Sequence, residues 1–534
     1  MRWWLPVVLL VACAGDVGVG VDVDVDARGD GVADSDADTD TDEDVVDDDI
    51  QAVTITVTLD GVPVAGARVT QGGTLDTRMT GADGAVLMPL DRNVAGKWTF
   101  MASVPDARIG ASLDWRPGKT ALAIELKRYD PLDNPDYVFQ DPGEPTRRDN
   151  TSECAHCHRT INQAWYDSPH RQAASNPHTL AVYADMVAAT GTTGGCADCH
   201  APGIDGALGG RDLAAASGRA RDYGVQCDVC HRVESVHLDA APGVAGRLRL
   251  LRPSERSSSS ALGTWKPLTF GPSHDVANPR MGLVQRDHFR QATLCAGCHE
   301  LVQGELPIHA TFSEWQATSL SPGVPCQSCH MPPDASAWNG ADLQDNGLDT
   351  ASTAGGWLRP EGFVKAHSFI GPRQRTKLEP SATLAITKSV TAGVLTATVT
   401  TTNSGAGHDL PTGEPLRAVL LLVEARCQTT PLEPVGGDLL DALGGTHEGQ
   451  AGVLFAKVLV DADGQRMVPH YAAVAVQSDT RLVRGQPHVS THQFTTTCAD
   501  PTVHATLVHR PYPPALAAAK GWDVVETIIT ERTD

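Results

Sequence analysis

The chain has 534 residues, enough for three or four domains, with 5% aromatic residues, 51 glycines and 35 prolines. That composition suits loop-rich architecture and β-domains better than a single large helical core. The formal charge of −23 argues against a nucleic-acid partner, which needs clustered Lys and Arg.

Met1-Arg2 followed by an apolar run from Trp3 to Ala12 reads as an export signal, since ten apolar residues are about half of what crosses a bilayer. The run ends Leu10-Val11-Ala12-Cys13, which resembles the bacterial lipobox. That resemblance implies cleavage before Cys13 and lipidation of its thiol. No later apolar run reaches spanning length, so any membrane attachment is expected through Cys13.

Residues 14–50 carry 15 acidic residues against the single Arg28, so most of the net charge is local. Like charges with nothing apolar to collapse predict an extended acidic tether. A calcium loop is disfavoured, because Ala27 stands where the pattern Asp22-x-Asp24-x-Asp26 calls for glycine.

Residues 51–128 switch to the two-residue period of half-buried strands: Val53, Ile55, Val57 and Leu59, then Leu122, Ile124 and Leu126, with Asp60-Gly61, Gly72-Gly73 and Asp83-Gly84 as turns. The stretch Gly61–Val69 followed by Thr80-Gly-Ala-Asp-Gly84 resembles small transthyretin-like or carboxypeptidase-regulatory-like β-sandwich modules, and a spacer role is expected. Residues 376–534 return to strand patterning at 393–402, 417–425 and 524–530, which predicts a second β-sandwich. Within it, Cys427 and Cys498 each end a strand-like run and are candidates for a disulfide in an oxidising compartment.

Between the β-modules, residues 129–375 contain Cys-x-x-Cys-His five times: Cys154/Cys157/His158, Cys196/Cys199/His200, Cys227/Cys230/His231, Cys295/Cys298/His299 and Cys326/Cys329/His330. Two thiols three apart can add to both vinyl groups of one haem, and the adjacent imidazole then points at the iron. Structural zinc would pair the motifs by twos, and five is odd. Catalytic thiol pairs do not require a trailing histidine. The expectation is therefore five covalent haems c, with His158, His200, His231, His299 and His330 as proximal ligands. At about 45 residues per haem, the porphyrins would form much of the core.

For the sixth iron positions, segment 150–408 offers nine further histidines: His156, His170, His178, His237, His274, His288, His309, His367 and His408. The segment resembles the multihaem family of the tetrahaem electron acceptor from hydroxylamine oxidation and its larger relatives. The carrying residues are Cys154–His158 continuing to Ile161, Trp165 and Ser168-Pro-His170; Cys295–Glu300 with Thr311–Trp315 and Cys326–Pro332; Ala366-His367-Ser-Phe369-Ile-Gly371; and Asn403-Ser-Gly-Ala-Gly-His408-Asp-Leu-Pro-Thr-Gly413-Glu-Pro415. Together they span about 150 to 415, half of the chain. The resemblance implies distal roles for His170, His367 and His408. His274 and His288 are taken as the remaining distal candidates by their position between the third and fourth motifs. If His408 ligates iron, the C-terminal β-domain is a docked lid on the haem segment.

The expected architecture is thus a lipoprotein signal (1–13), an acidic tether (14–50), a β-sandwich (51–128), a pentahaem cytochrome domain of loops and helices (129–375) and a β-sandwich docked on it (376–534). The expected function is electron transfer at the cell envelope. It would exchange electrons with redox proteins of an envelope chain, from a periplasmic or surface position anchored in the outer membrane. The rival is a multihaem reductase acting on a small nitrogen or sulfur compound at one open haem. No Cys-x-x-Cys-Lys site is present, which removes the nitrite-reductase type of active haem. A surface adhesion protein carrying haems is the third reading.

Overall fold

The computed structural model describes residues 52–333 and 364–534, except residues 95, 114, 117, 148, 205–210, 259–263 and 279–280. The signal, Cys13 and the acidic segment 14–50 lie outside the described residues. Among the described residues, no helix is long and apolar enough to cross a membrane.

The N-terminal alternation produces the strand Ala52–Leu59, whose Val53, Ile55 and Val57 are completely buried. It pairs antiparallel with Ala85–Pro89 and parallel with Ala121–Leu126. Asp60 and Gly61, both at positive φ, close a two-residue hairpin between Leu59 and Val62. That is the conformation for which Asp-Gly is favoured. A second four-stranded sheet contains Thr77–Met79, Arg68–Gly72, Gly96–Ser103 and Gly110–Ser112 in that order. One apolar cluster joins the two sheets, with Val53, Ile55 and Val57 meeting Val69, Phe100 and Ala102.

This module is packed against the middle segment as well as leading into it. Met101 and Ile109 pack on Ala277 and Leu283, the Ile109 N–H donates to the Leu283 carbonyl at 2.8 Å, and Arg108 pairs with Glu255 at 3.0 Å. The expectation of a plain spacer therefore misses a docked face.

The middle segment holds short helices and two-stranded ribbons around the cysteine motifs. Its longest helix, Pro177–Thr190, starts at Asn176, whose side chain accepts from the N–H groups of His178 and Thr179. It has Pro177 in its first turn and stops at Gly191, φ 69°. These are the expected start and stop signals.

The C-terminal residues form a four-stranded sheet, ordered Thr383–Thr391, Val394–Thr402, Pro487–Thr495 and Pro434–Gly437. A five-stranded sheet is built around Ala418–Cys427 and Thr502–Arg510. Leu395, Ala397 and Val399 of the first sheet meet Val419, Leu421, Val423, Ala505 and Leu507 of the second in one core. Cys427 and Cys498 are disulfide-bonded, with Cα atoms 5.8 Å apart. The domain is joined to the middle segment by buried Arg481 with Glu314, by Lys457 Nζ on the Pro307 carbonyl at 2.9 Å, and by an apolar contact of Ile308 with Leu459 and Ala473.

Candidate haem sites

Each cysteine motif lies on a short helix: Cys154–Cys157, Cys196–His200, Cys227–Cys230, Ala292–His299 and Cys326–His330. Positions i, i+3 and i+4 share one face of a helical turn, which places both thiols and the imidazole together in the second, fourth and fifth motifs, while His158 and His231 stand one residue past the helices that carry their thiols. Packing around the turns is tight. Gly243, at φ 71°, presses on the second motif, where a Cβ would come within 2.5 Å of the Asp198 carbonyl oxygen and 2.9 Å of Cys199 Sγ. Thiols of different motifs also adjoin: Cys154 with Cys227, Cys199 with Cys298, and Cys295 with Cys326. The neighbouring thiol, together with burial, pushes the Cys227, Cys295 and Cys298 thiols well above their ordinary range.

Three motif histidines face a second imidazole brought from elsewhere in the chain. His330 and His408 have ring centroids 6.3 Å apart with planes at 14°, His231 and His367 are at 6.5 Å and 28°, and His170 and His299 are at 6.1 Å and 53°. A metal–imidazole bond of about 2 Å on each side, plus about 1 Å from nitrogen to ring centre, puts two trans imidazoles about 6 Å apart. The ring orientations are fixed in a common way. Nδ1 of His200, His231, His330, His367 and His408 lies against the backbone oxygen of Ala173, Phe270, Ile370, Lys365 and Asp409 respectively, at 2.6–3.2 Å. With Nδ1 protonated, Nε2 keeps a lone pair, the arrangement seen in metal-ligating histidines.

Burial also holds these rings neutral, as ligation requires. It pushes His170, His330 and His367 down to about 4 and His299 to about 3. His170 Nδ1 is buried without a hydrogen-bond partner. The loop that brings in His408 depends on Gly405, where a Cβ would stand 1.9 Å from the Pro380 carbonyl oxygen.

A family model for cytochrome c554 and c-prime matches residues 153–232, which contain the first three motifs. Among solved structures, the chain is similar to a penta-heme cytochrome c552 from Thermochromatium tepidum, with a TM-score of 0.53 at 20% identity. The match covers 73% of this chain and 100% of that one. Among curated proteins none matches. The findings support a multihaem c-type cytochrome.

The residues present fit covalent haem c. The ten motif cysteines form no disulfide with one another, each motif histidine directly follows its second cysteine, and three of them face a second imidazole with ring centroids 6.1–6.5 Å apart. A bound haem supplies one-electron redox chemistry at its iron. The chain's own contribution is to hold His200, His231, His330, His367 and His408 in one tautomer through their Nδ1 contacts, and to keep the buried rings neutral.

The two distal candidates taken from chain position, His274 and His288, face partners other than a motif imidazole. His274 Nε2 is bonded to Thr77 Oγ1 of the N-terminal module at 2.8 Å, and His288 Nε2 lies 3.1 Å from the Val233 carbonyl oxygen. Of the remaining histidines, His178 stacks on Trp522, and His237 Nε2 is bonded to Ser235.

His309 has a different role. Its Nε2 is 3.0 Å from Glu414, which is also bonded by His470 Nδ1 at 3.1 Å. Burial pushes the Glu414 carboxyl up, but the bonds from the two imidazoles more than offset it and hold the group well below the usual range. His309, Glu414 and His470 are close enough to His200 to influence its protonation. Glu414 and His470 escaped the sequence reading. The only signal was the Gly413-Glu414-Pro415 end of the His408 motif.

Proposed function

We propose that this chain is an electron carrier holding five haems c on its five Cys-x-x-Cys-His turns. In this reading His158, His200, His231, His299 and His330 are the proximal ligands, and His170, His367 and His408 cap the irons of His299, His231 and His330. The observation that carries it is the set of three facing imidazole pairs at 6.1–6.5 Å. An iron closed on both faces changes oxidation state with little ligand rearrangement, and adjoining thiols of different motifs bring neighbouring haems together for hopping. The flanking sheet pairs are read as two β-sandwiches docked on the haem segment. The lipobox Cys13 would anchor the protein at the envelope, where redox proteins of an electron-transfer chain are its partners.

A second reading is favoured by one observation. Neither His158 nor His200 belongs to the three facing pairs, and the surroundings of His200 include the His309–Glu414–His470 cluster. An iron there would be the place for a reductase acting on a small nitrogen or sulfur compound.

Paramagnetic resonance of the oxidised full-length protein, with a haem count from intact mass, separates the two. Five haems that are all low-spin support the carrier. A stoichiometric high-spin haem lost with His200→Ala, leaving the three paired centres low-spin, supports the reductase. Fewer than five haem additions would remove a motif from the set. For the anchor, Cys13→Ser should release the protein from membranes, and unchanged fractionation would exclude lipid on Cys13.

A further inference from the structure

The cluster of His309, Glu414 and His470 lies where the haem segment meets the C-terminal β-domain. His309 ends the strand Leu306–His309, Glu414 stands in the loop after His408, and His470 opens the short turn His470–Ala472. His309 Nε2 is 3.0 Å from Glu414 Oε2, and His470 Nδ1 is 3.1 Å from Oε2 and 3.3 Å from Oε1. One ligand atom from each residue lies within 4.8 Å of the others. The segments are held together independently by Lys457 on the Pro307 carbonyl, by Thr311 with Thr412 at 2.8 Å and by the Ile308–Leu459–Ala473 contact. The convergence is thus built into the fold.

We propose that His309, Glu414 and His470 bind one divalent transition-metal ion of the zinc class, separate from the haem irons. Tetrahedral zinc with bonds of 2.0–2.1 Å has ligand–ligand edges of about 3.4 Å. The two nitrogen–oxygen edges here are 3.0 and 3.1 Å and the nitrogen–nitrogen edge is within 4.8 Å, so the ion enters with a few tenths of an ångström of opening at each oxygen edge. Two imidazole nitrogens and one carboxylate select a borderline metal, and three protein ligands leave a fourth position for water. Calcium and magnesium require mostly oxygen ligands, and one carboxylate near the Arg417 guanidinium supplies too little negative charge for either. As the ion enters, each ring binds as the neutral tautomer, His309 protonated at Nδ1 and His470 at Nε2, and the proton on the ligating nitrogen passes through solvent to that other nitrogen or, from a ring already protonated at both, is released. Bound there, the ion fastens the β-domain to the haem segment from three chain positions.

The test uses the full-length, haem-loaded protein, dialysed against zinc and then against metal-free buffer. Zinc and iron are measured in the same sample, and X-ray absorption is recorded at the zinc edge. The expected result is one zinc per chain with nitrogen and oxygen neighbours at about 2.0–2.1 Å and no sulfur at about 2.3 Å. Glu414→Gln and His309→Ala should each weaken zinc binding at least 10-fold, with the iron-to-protein ratio unchanged. Absence of zinc from the wild-type protein would overturn the proposal, as would sulfur ligands, which place the ion in a cysteine motif. So would zinc retained at full affinity in both variants. If a variant fails to fold, the wild-type stoichiometry and ligand types still decide. The iron count reports separately on the haems, so a failure of either reading is recognised on its own.

Discussion

His330 and His408 belong to different architectural parts, one to the last cysteine turn and the other to a loop of the C-terminal β-domain, yet their rings are nearly parallel with centroids 6.3 Å apart. The β-domain thereby supplies one face of a site whose other face is in the haem segment. His408→Ala should leave the number of attached haems unchanged, because the thioethers of Cys326 and Cys329 do not depend on the distal ring. It should convert about a fifth of the haem, one centre of five, from low to high spin. Magnetic circular dichroism of the oxidised variant measures this, and a fully low-spin spectrum would show that His408 closes no iron.

The cysteine motifs were legible because their geometry is local: three residues on one helical turn need no tertiary information. The distal positions are different, because whether a ring faces an iron depends on how remote segments fold. Motif context pointed to His170, His367 and His408, which stand opposite motif rings. Position alone points to His274 and His288, whose Nε2 atoms bond Thr77 and the Val233 carbonyl. Strand periodicity located both β-modules, yet alternation says which face is buried, not what it is buried against. The docking of Ile109 on Leu283 was invisible for that reason. Glu414 and His470 were hidden more completely, since their partner His309 lies in another domain and no repeat links the three.

The Cys427–Cys498 bridge spans 71 residues and ties the last residue of the strand Ala418–Cys427 to the loop that follows the strand Pro487–Thr495 of the other sheet. Closing a loop of that length lowers unfolded-chain entropy by an amount equivalent to about 4 kcal/mol. Replacing both cysteines by serine should therefore lower the unfolding free energy of the β-domain by roughly 2–4 kcal/mol, read from the denaturant midpoint. Haem content should be unaffected, as neither cysteine belongs to a motif. A midpoint equal to that of the wild type would argue against a stabilising bridge.

Asp228 sits between the two cysteines of the third motif but serves the fold. Its Oδ1 is 2.7 Å from the Arg232 guanidinium, and its Oδ2 accepts from Tyr137 Oη at 2.8 Å and from the Gln140 N–H at 2.7 Å, with Asp228, Arg232 and Tyr137 buried. Removing one partner of a buried pair leaves the other charge uncompensated, at a cost of about 3–5 kcal/mol. Asp228→Ala should lose about that much in equilibrium unfolding. Asp228→Asn, which keeps an acceptor, should lose less. Equal stability of the alanine variant and the wild type would contradict the pairing.

The last prediction concerns acid. His509 lies on the strand Thr502–Arg510, is 5% exposed, and is pushed down to about 3, first by burial and then by the nearby positive charge of Arg417. In the unfolded chain the same ring titrates near 6.5. Between these values the unfolded chain binds the proton that the folded chain refuses. The contribution of His509 is therefore fully present above about pH 6.5 and is lost progressively as pH falls toward about 3. Near pH 4 the loss from this residue is about 3 kcal/mol, from a shift of 1.36 kcal/mol per pH unit. His509→Gln removes the titration while keeping a polar side chain of similar size. Its denaturant midpoint should then fall less steeply than that of the wild type between about pH 6.5 and pH 4. Haem-ligand histidines contribute equally to both proteins and cancel in the difference. Parallel midpoint-versus-pH curves for the two proteins would mean that His509 is not held neutral by the fold.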